Sequence, residues 1–385
     1  MFSVKSFTFT VPQNIIVGQG SIARLPEAVR ALGASRVFFV SDPFLAKVGA
    51  VQKCMDQLTK AGVTSEAFTE TEGNPSVETV DRATARFKAS GADCIVALGG
   101  GSPMDVAKAV GVLARYGGSI VDYEGGGKVP GDIVPLIAIL TTAGTGSEVT
   151  AFSVITDHSR NYKLTVFSYK LLPAYAILDV DLITTVPAGV AAACGIDALI
   201  HALEAYISRD ASPFSEVMSE KAMELIGGSI RRYVANRQDI EAASAMQAGS
   251  LFAGIAFSWA RLGNVHAMSH PVSAYFNVAH GVANAILLPT IVDYNALADS
   301  GKYLKIYNCI ARQPLTAEEF VPEMLGDELR ALNASLGIPG SLSEVGVTPD
   351  KFDAMADDAM KSGNIAVNPR TTTRKDVLAL YQEAL

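Results

Sequence analysis

The sequence predicts two domains of different class, an α/β domain built on a parallel sheet followed by an all-helical domain. In the first half, short apolar runs bounded by glycine and proline alternate with helical segments, which is typical of a parallel sheet covered on both faces. After Pro187 the strand pattern almost disappears and apolar residues recur at helical spacing. The chain has 385 residues, more than one core usually holds, so we expect the domains at residues 1–186 and 187–385.

The expected elements follow from these apolar runs. The strands are Arg36–Ser41, Thr64–Phe68, Cys94–Gly100, Val134–Thr142, Phe152–Thr156, Lys163–Phe167 and Tyr175–Leu178. The helices of the first domain are Phe44–Ala61, Val77–Ser90 and Pro103–Arg115. The helices of the second domain are Ala188–Ile207, Phe214–Val234, Ile240–Phe257, Gly281–Leu297, Leu304–Ala311, Ala317–Leu336 and Asp350–Met360. Alternation of this kind predicts right-handed crossovers between parallel strands.

Composition excludes several classes of function. The net charge is −8 and no cluster of lysine or arginine occurs, so we expect neither nucleic acid nor an anionic membrane as a partner. The amino-terminal stretch lacks the apolar region of a signal peptide, and no apolar run reaches the length of about 18 residues that a membrane span needs. The four cysteines form no CxxC pair, which is typical of reduced thiols. We therefore expect a soluble, cytoplasmic protein.

Histidine is scarce, and four of the five histidines fall in the helical half. Asp197 and His201 are four residues apart, and so are His266 and His270. That spacing places both side chains of a pair on one helix face, and two such faces can converge on one point. One carboxylate with imidazoles is a mixed oxygen and nitrogen set that suits divalent iron, zinc or manganese.

Each histidine also has an ordinary interpretation. Asp197 and His201 alone are typical of a hydrogen bond on a helix surface, and His280, just before a glycine, is typical of a cap or loop residue. The joint pattern favours a metal, because imidazoles buried on apolar helices without a ligand carry a desolvation cost. His158 lies in a polar, turn-like stretch and is expected to be exposed.

Two glycine-rich turns follow strands of the first domain. GGGS, residues 99–102, opens a helix, where bare glycines and the helix amino terminus favour a pyrophosphate. Its alternative is structural, with Ser102 and Asp105 forming a capping box. TTAGTGSE, residues 141–148, has small hydroxylic residues that could line a cofactor channel, or is a tight loop that needs glycine. Asp42 ends a strand, where it suits either a ribose hydroxyl or the amino-terminal cap of the next helix.

At these residues the chain resembles the iron-containing (group III) alcohol dehydrogenase family. The segments GGGSPMDVAK, TTAGTGSEVT, DALIHALEAY and GNVHAMSHPVSAYFNVAHG resemble the family's signatures in order and separation. The resemblance runs from about Phe7 to NPR at Asn368–Arg370 and covers nearly the whole chain. It implies an amino-terminal dinucleotide-binding domain and a carboxyl-terminal helical metal-binding domain, the dehydroquinate synthase-like architecture.

The resemblance also implies roles for individual residues. The metal ligands would be Asp197, His201, His266 and His280, with Fe²⁺ as the expected ion and Zn²⁺ as an alternative. His270 would lie beside the metal as a proton relay. The coenzyme contacts would be Asp42, Asn74, Gly101, Ser102, Thr141, Thr142, Thr150, Phe152, Lys163 and Leu182. Asp42 then indicates NAD, because its carboxylate repels the 2′-phosphate of NADP.

The implied activity is hydride transfer between NAD(H) and a small alcohol or aldehyde, in a homo-oligomer. Such ligands are expected in a cleft between the domains. The segment with Trp259 and Arg261 departs from relatives, and Arg261 suggests an aldehyde with an anionic tail, unless it points to solvent or pairs with an acidic neighbour. Two other activities stay open, a metal-dependent lyase or cyclase of the dehydroquinate synthase type and a metallohydrolase.

Overall fold

The computed structural model describes residues 10, 11 and 14–385, which divide into two compact units. The α/β unit comprises Thr10–Thr142 and Ser147–Thr185. The helical unit comprises Ala143–Gly146 and Val186–Leu385. The short segment Ala143–Gly146 therefore lies with the helices, although the sequence places it in the first domain. The start of the family resemblance near Phe7 lies outside the described residues.

Nine strands are found in the described residues, all in the α/β unit. They are β1 (Asn14–Val17), β2 (Arg36–Val40), β3 (Thr64–Phe68), β4 (Cys94–Gly99), β5 (Gly125–Gly126), β6 (Leu136–Leu140), β7 (Phe152–Asp157), β8 (Tyr162–Phe167) and β9 (Tyr175–Leu178). Six of them form one sheet in the order β1-β9-β6-β4-β2-β3, and every pair in it is parallel. The predicted parallel sheet is confirmed.

Strands β4 and β6 are buried along their whole length, as expected for central strands covered on both faces. The strands β5, β8 and β7 form a separate small sheet, in which β7 and β8 make an antiparallel hairpin. The predicted strands do not include β1, a four-residue edge strand, or the two-residue β5.

The α/β unit contains six helices in the described residues. They are α1 (Leu25–Ala31), α2 (Pro43–Lys47), α3 (Ala50–Lys60), α4 (Val77–Ser90), α5 (Gly101–Tyr116) and α6 (Val180–Ile183). The expected single helix Phe44–Ala61 is wrong, because Gly49 takes a left-handed conformation with φ 78° and ends α2 before α3 begins. The helix α5 begins at Gly101, two residues before the expected start.

Nine further helices form the described part of the helical unit. They are α7 (Ala188–Ile207), α8 (Pro213–Ala235), α9 (Ile240–Ala260), α10 (Asn264–Phe276), α11 (His280–Asn295), α12 (Tyr303–Ile310), α13 (Glu323–Ser335), α14 (Phe352–Lys361) and α15 (Arg374–Glu383). The helix α11 begins at His280, so this histidine is not a loop residue. The expected start of α13 at Ala317 is wrong, because the helix begins only after Pro322.

Two helices, α7 and α9, are long and apolar enough to cross a membrane by length and composition alone. The most apolar window of α7 is 83% buried inside the structure, and that of α9 is 67% buried. Burial of this kind is typical of core helices in a helical domain. Both helices contribute side chains to the centre described below.

Candidate metal centre and coenzyme-binding edge

The helix α7 presents three polar side chains on one face of an otherwise apolar helix. Asp197, His201 and Glu204 follow one another at intervals of four and three residues, which places them one above the next. All three are buried among the helices of this unit. A face of this kind is costly in a core unless its polar groups meet partners.

The side chains of Asp197, His201 and His266 come together in the helical unit. One ligating atom from each lies within 4.8 Å of the others. The Oδ1 atom of Asp197 is 3.9 Å from His201 Nε2 and 3.6 Å from His266 Nε2. It is also 4.0 Å from His280 Nε2, so the four residues expected as metal ligands face one centre.

Asn284 lies at the middle of this centre. Its Nδ2 atom donates to Asp197 Oδ1 at 2.6 Å and lies 3.1 Å from Nε2 of both His266 and His280. Its Oδ1 atom is buried without a hydrogen-bond partner among the described residues. Sequence reasoning missed Asn284, although it follows His280 at the same four-residue spacing as the other pairs.

Two of the histidine rings have a hydrogen-bond partner on Nδ1, the nitrogen that faces away from the centre. His266 Nδ1 lies 2.6 Å from the Oε2 atom of Glu204, and His201 Nδ1 lies 3.2 Å from the backbone carbonyl of Gly144. The ring of Phe257 stacks on that of His201 with centroids 4.4 Å apart. Partners on Nδ1 leave the Nε2 atoms facing the centre, as metal-binding histidines require. Sequence reasoning also missed Glu204, whose signal is its place on the polar face of α7.

The electrostatics of the centre are set by burial and by its neighbouring charges. Although burial alone would raise it, the adjacent imidazoles hold the pKa of Asp197 well below its usual range. Burial lowers the pKa of His201 to about 4, so its ring is neutral at pH 7. Burial also opposes protonation of His266, but the neighbouring carboxylates of Asp197 and Glu204 raise its pKa to about 9. The centre therefore favours positive charge between the two carboxylates.

The residues fit a divalent metal ion. In the described part of the chain, neither Asp197 nor Glu204 has a lysine or arginine within ion-pair distance, and both carboxylates face histidines. Two buried carboxylates without a permanent cation are unfavourable unless one is bound. The inward-facing set of one oxygen and three nitrogen donors suits Fe²⁺ or Zn²⁺ and contains no sulfur.

His270 lies one turn after His266 on α10 and is partly exposed. Its ring centroid is 6.4 Å from that of His266 and 5.2 Å from that of His280. It is therefore next to the centre, on a side that is less enclosed than the ring of His266.

The first group of expected coenzyme residues lies at one edge of the parallel sheet. Asp42, Gly101 with Ser102, and Thr141 with Thr142 follow the adjacent strands β2, β4 and β6. Leu182 follows β9, the next strand of the same sheet. From β2 the chain crosses to β3 on one side, and from β4 it proceeds to β6 on the other. Such a switch point is where open α/β sheets bind ligands.

Close packing at this edge explains two of the glycines. A side chain at Gly99, where φ is +154°, would meet Pro103, and one at Gly100 would lie 3.0 Å from the hydroxyl of Thr142. The alternative capping box is wrong, because Asp105 accepts instead from Ser147 Oγ at 2.9 Å and from Val154 N at 3.2 Å. Asp42 does cap α2, accepting from Leu45 N at 2.9 Å.

The second group of expected coenzyme residues lies around the small sheet. Lys163 Nζ donates to Asn74 Oδ1 at 2.7 Å, and Asn74 has a left-handed φ of 55°. Thr150 and Phe152 are held by Lys108 of α5, whose Nζ donates to their carbonyl oxygens at 2.9 and 2.8 Å. These bonds join α5, which begins at the glycine turn, to Thr150 and Phe152 at the start of β7.

Lys108 belongs to a charged cluster with Asp105 and Glu148, in which Lys108 and Glu148 are buried and Asp105 is partly buried. Burial lowers the pKa of Lys108 to about 8 and raises the pKa of Asp105 to about 6. Burial also raises the pKa of Glu148 to about 7, and its Oε1 atom has no hydrogen-bond partner among the described residues. Sequence reasoning gave no function to this cluster.

The structure supports the tight-loop interpretation of the glycine-rich segment TTAGTGSE. Gly146 has φ +61°, so the loop does need glycine. A side chain at Gly144 would collide with Cys194 of α7, and one at Gly146 with Gly254 of α9. Close packing of Ala143–Gly146 on these helices brings the carbonyl of Gly144 to His201.

The position of Arg261 favours pairing with an acidic neighbour over recognition of the substrate. Its guanidinium lies 3.9 Å from the carboxylate of Asp210 and is 40% exposed. It also covers Gly363, where any side chain would collide with it. This geometry favours pairing with an acidic neighbour and gives no support to an anionic substrate tail. Trp259 is partly buried near the end of α9.

Comparisons with known proteins show the family of the chain. Residues 12–180 match the family described as iron-containing alcohol dehydrogenase, and residues 191–385 match the carboxyl-terminal region of the Fe-containing alcohol dehydrogenase family. The chain belongs to the iron-containing alcohol dehydrogenase family. The predicted family and fold are therefore confirmed.

Full-length relatives of this iron-containing alcohol dehydrogenase act on small molecules. The NAD-dependent methanol dehydrogenase of Bacillus methanolicus is 34% identical over 98% of this chain and 99% of its own length. The lactaldehyde reductase of Escherichia coli K12 is 36% identical over 95% of this chain and 96% of its own. The crystal structure of a 1,3-propanediol oxidoreductase matches with a TM-score of 0.94 at 35% identity, over 99% of this chain and 100% of that one.

Membership of the iron-containing alcohol dehydrogenases fixes the class of reaction. The chain is an oxidoreductase that interconverts alcohols and aldehydes, with NAD and a divalent metal as its cofactors. The cluster of possible ligand side chains in the helical unit is the candidate site for the metal. The carboxyl edge of the parallel sheet in the α/β unit is the candidate site for NAD.

Proposed function

We propose that the chain oxidises a small primary alcohol with NAD, or reduces the corresponding aldehyde with NADH, at a divalent metal held by Asp197, His201, His266 and His280. The observation that carries this proposal is the convergence of these four side chains on one point in the helical unit. Three of the relatives are named for methanol, 1,3-propanediol and lactaldehyde, which favours a small alcohol or aldehyde as the substrate. The enclosed position of the centre supports the same class.

We assign the coenzyme to the α/β unit, with residues 1–186 as the NAD-binding domain and 187–385 as the metal-binding domain. The open edge beyond β2, β4 and β6 would hold the pyrophosphate on the backbone of Gly101 and Ser102. One carboxylate oxygen of Asp42 caps α2, and its other oxygen suits a ribose hydroxyl, which favours NAD over NADP.

The chain's own residues divide the remaining work. A divalent metal supplies Lewis acidity toward the substrate oxygen when it is bound. Asp197 contributes the negative charge of the ligand set, and His201 contributes a neutral ring. His270, less enclosed than His266, would pass the proton of the hydroxyl group toward solvent. The buried helices around the centre exclude water from the reacting carbon.

We propose iron as the metal, because the family is described as iron-containing. Zinc would be a substitute, because a set of oxygen and nitrogen donors accepts both ions. The protein is proposed to act in the cytoplasm as a homo-oligomer, with no nucleic acid or membrane partner. Support for a reducing compartment comes from the spacing of the four cysteines, which contains no CxxC pair and is typical of reduced thiols.

The test is the absorbance of NADH with anaerobically purified full-length protein and short primary alcohols or aldehydes. We expect NADH to form with the alcohols and to disappear with the aldehydes. Removal of the metal with a chelator should abolish both, and added Fe²⁺ or Zn²⁺ should restore them. Product formation without net change in NADH would instead favour the lyase or cyclase alternative. Substrate hydrolysis that needs no NAD would favour a metallohydrolase.

A further inference from the structure

The helix α10, which carries His266, begins without a cap of its own. Its amino-terminal cap residue is Gly263, which has no side chain to accept a hydrogen bond. The first backbone amides of a helix have no partner within the helix and need one from elsewhere. Here Val265 N–H donates to Glu204 Oε1 at 2.7 Å, and Asn264 N–H donates to Asn368 Oδ1 at 3.3 Å. Two distant side chains therefore cap α10.

Glu204 uses both carboxylate oxygens. One accepts from Val265 N–H, and the other lies 2.6 Å from His266 Nδ1. The side chain is 3% exposed, so water does not replace either bond. Because a carboxylate accepts hydrogen bonds, Nδ1 of His266 carries the proton and Nε2 is the nitrogen left for the metal. A carboxamide has one oxygen acceptor and one NH₂ donor. Its NH₂ group would therefore face another donor, either the backbone amide of Val265 or Nδ1–H of His266.

Asn368 has the opposite requirement. Its Oδ1 accepts from Asn264 N–H and from Asn295 Nδ2, the latter at 3.1 Å. Its Nδ2 donates to Asn295 Oδ1 at 2.8 Å and to the carbonyl of Arg370 at 2.7 Å. Only a carboxamide combines these roles, and a carboxylate would face two acceptors. Asn368 opens the NPR motif, to which the proposed function gives no role.

Gly263 leaves the space that both caps occupy. A Cβ atom there would lie 2.9 Å from Glu204 Oε1 and 3.0 Å from Asn368 Oδ1. Its φ of −128° is open to other residues, so the reason for glycine is close approach and not backbone strain. An ordinary capping side chain at this position would displace the two external caps.

We propose that Glu204 and Asn368 are positioning residues for the metal centre, which cap α10 from outside and so hold His266 in its ligating orientation and tautomer. The inference rests on the proposed function only in requiring that a metal binds to His266. It adds two residues to the centre and gives the carboxyl-terminal NPR motif a role in metal binding.

The test compares Glu204→Gln, Asn368→Asp and Asn308→Asp in the metal-free full-length protein, with Co²⁺ as the probe. Each variant exchanges an oxygen for a nitrogen, or the reverse, without changing the size of the side chain. Asn308 is the matched control, because its carboxamide also binds backbone groups, at 3.0 and 2.8 Å from Leu315, but on α12. Co²⁺ affinity, the visible spectrum of the bound ion and thermal unfolding are measured for each.

We expect Glu204→Gln to weaken Co²⁺ binding about 10-fold to 100-fold and to change the visible spectrum. Asn368→Asp should weaken binding roughly tenfold, since it leaves buried acceptors unpaired. Asn308→Asp should leave both affinity and spectrum unchanged, whatever its effect on unfolding. Glu204→Asp, which keeps the two acceptors, should bind Co²⁺ more tightly than Glu204→Gln.

Wild-type affinity and spectrum in both Glu204→Gln and Asn368→Asp would overturn the inference. If one of these variants does not fold, the other decides. If neither folds, the inference is also overturned, because both residues would then be required by the fold before a metal binds. Absence of Co²⁺ binding by the wild-type protein would instead contradict the proposed function, so the two failures are distinct.

Discussion

At the residue scale, the metal centre depends on side chains whose protonation is set by contact. Glu204 and Gly144 bind the Nδ1 atoms of His266 and His201, and Asn284 contacts the inner atoms of the cluster. His270 lies beside the cluster, with its ring centroid 5.2 Å from that of His280, and is partly exposed. We propose that it is a proton relay and not a ligand.

Replacement of His270 by alanine should lower turnover about 100-fold or more while the metal content stays near that of the wild type, because a relay moves protons without holding the ion. Turnover and bound metal are measured on the same preparation. His158→Ala, at an exposed position, is the control and should change neither quantity. Loss of metal in His270→Ala would make His270 a ligand and contradict the assignment.

The buried carboxyl of Glu148 should make stability depend on pH. Burial raises its pKa to about 7 in the folded protein, above the ordinary value of 4.5. Between these values the folded state binds a proton that the unfolded state releases, so the free energy of unfolding falls as pH rises through this window. Glu148→Gln removes this decline and should stabilise the protein above pH 7 by ~1–3 kcal/mol.

Denaturant unfolding at pH 5 and pH 8 measures this effect in the wild type and in Glu148→Gln. The exposed Glu318 provides the control, and Glu318→Gln should follow the wild type at both pH values. An equal loss of stability from pH 5 to pH 8 in wild type and Glu148→Gln would show that Glu148 does not titrate in this window.

At this scale, local spacing predicts two polar helix faces, while the resemblance to the family implies which residues are ligands. Asp197 with His201, and His266 with His270, are visible as four-residue intervals on apolar helices. Glu204 shares the face of Asp197 and His201, and Asn284 follows His280 by four residues on α11. Glutamate and asparagine are so common on helix surfaces that their spacing alone is a weak signal. Asn368 could not be found, because it meets Asn264 across 104 residues of chain.

At the element scale, the centre depends on close approach of α7 and α11. Gly281 follows His280 at the start of α11. A side chain at Gly281 would overlap the backbone carbonyl of Ala193 on α7. Glycine at this point therefore allows α11 to bring His280 toward Asp197. The two helices must keep this separation for the ligand set to be complete.

Gly281→Ala should push α11 away from α7 and weaken metal binding about tenfold, because overpacking shifts the backbone that carries His280. The affinity for Co²⁺ is measured by titration of the metal-free protein. The control is Gly228→Ala in α8, where an added Cβ meets nothing within 4 Å, so this change should leave affinity unchanged and stabilise α8 by ~0.5–1 kcal/mol. Unchanged affinity in Gly281→Ala would contradict this role.

Most elements could be predicted from periodicity, and the failures have physical reasons. The expected helix Phe44–Ala61 keeps its apolar spacing across Gly49, but the left-handed conformation of that glycine separates α2 from α3. The helix α10 has Pro271 inside it, which is a signal against a helix, and no side-chain cap at Gly263. External caps from Glu204 and Asn368 compensate for the missing local cap.

At the scale of the whole molecule, the two units are not two consecutive halves of the chain. The strands of the α/β unit are interrupted by Ala143–Gly146, which belongs to the helical unit and provides the carbonyl that binds His201. Composition and alternation predict the two classes of structure. They could not predict that Ala143–Gly146 belongs to the helical unit, because four residues carry no periodicity. The placement of this segment depends on packing against α7 and α9.

The central claim is that one divalent ion is held by four side chains from three helices of the helical unit. Crystals of the metal-loaded protein, measured at the absorption edge of the bound metal, test it most directly. We predict one anomalous peak per chain, within bonding distance of Asp197, His201, His266 and His280, with His270 outside that distance. A peak elsewhere, or one that lacks any of these four ligands, would contradict the claim.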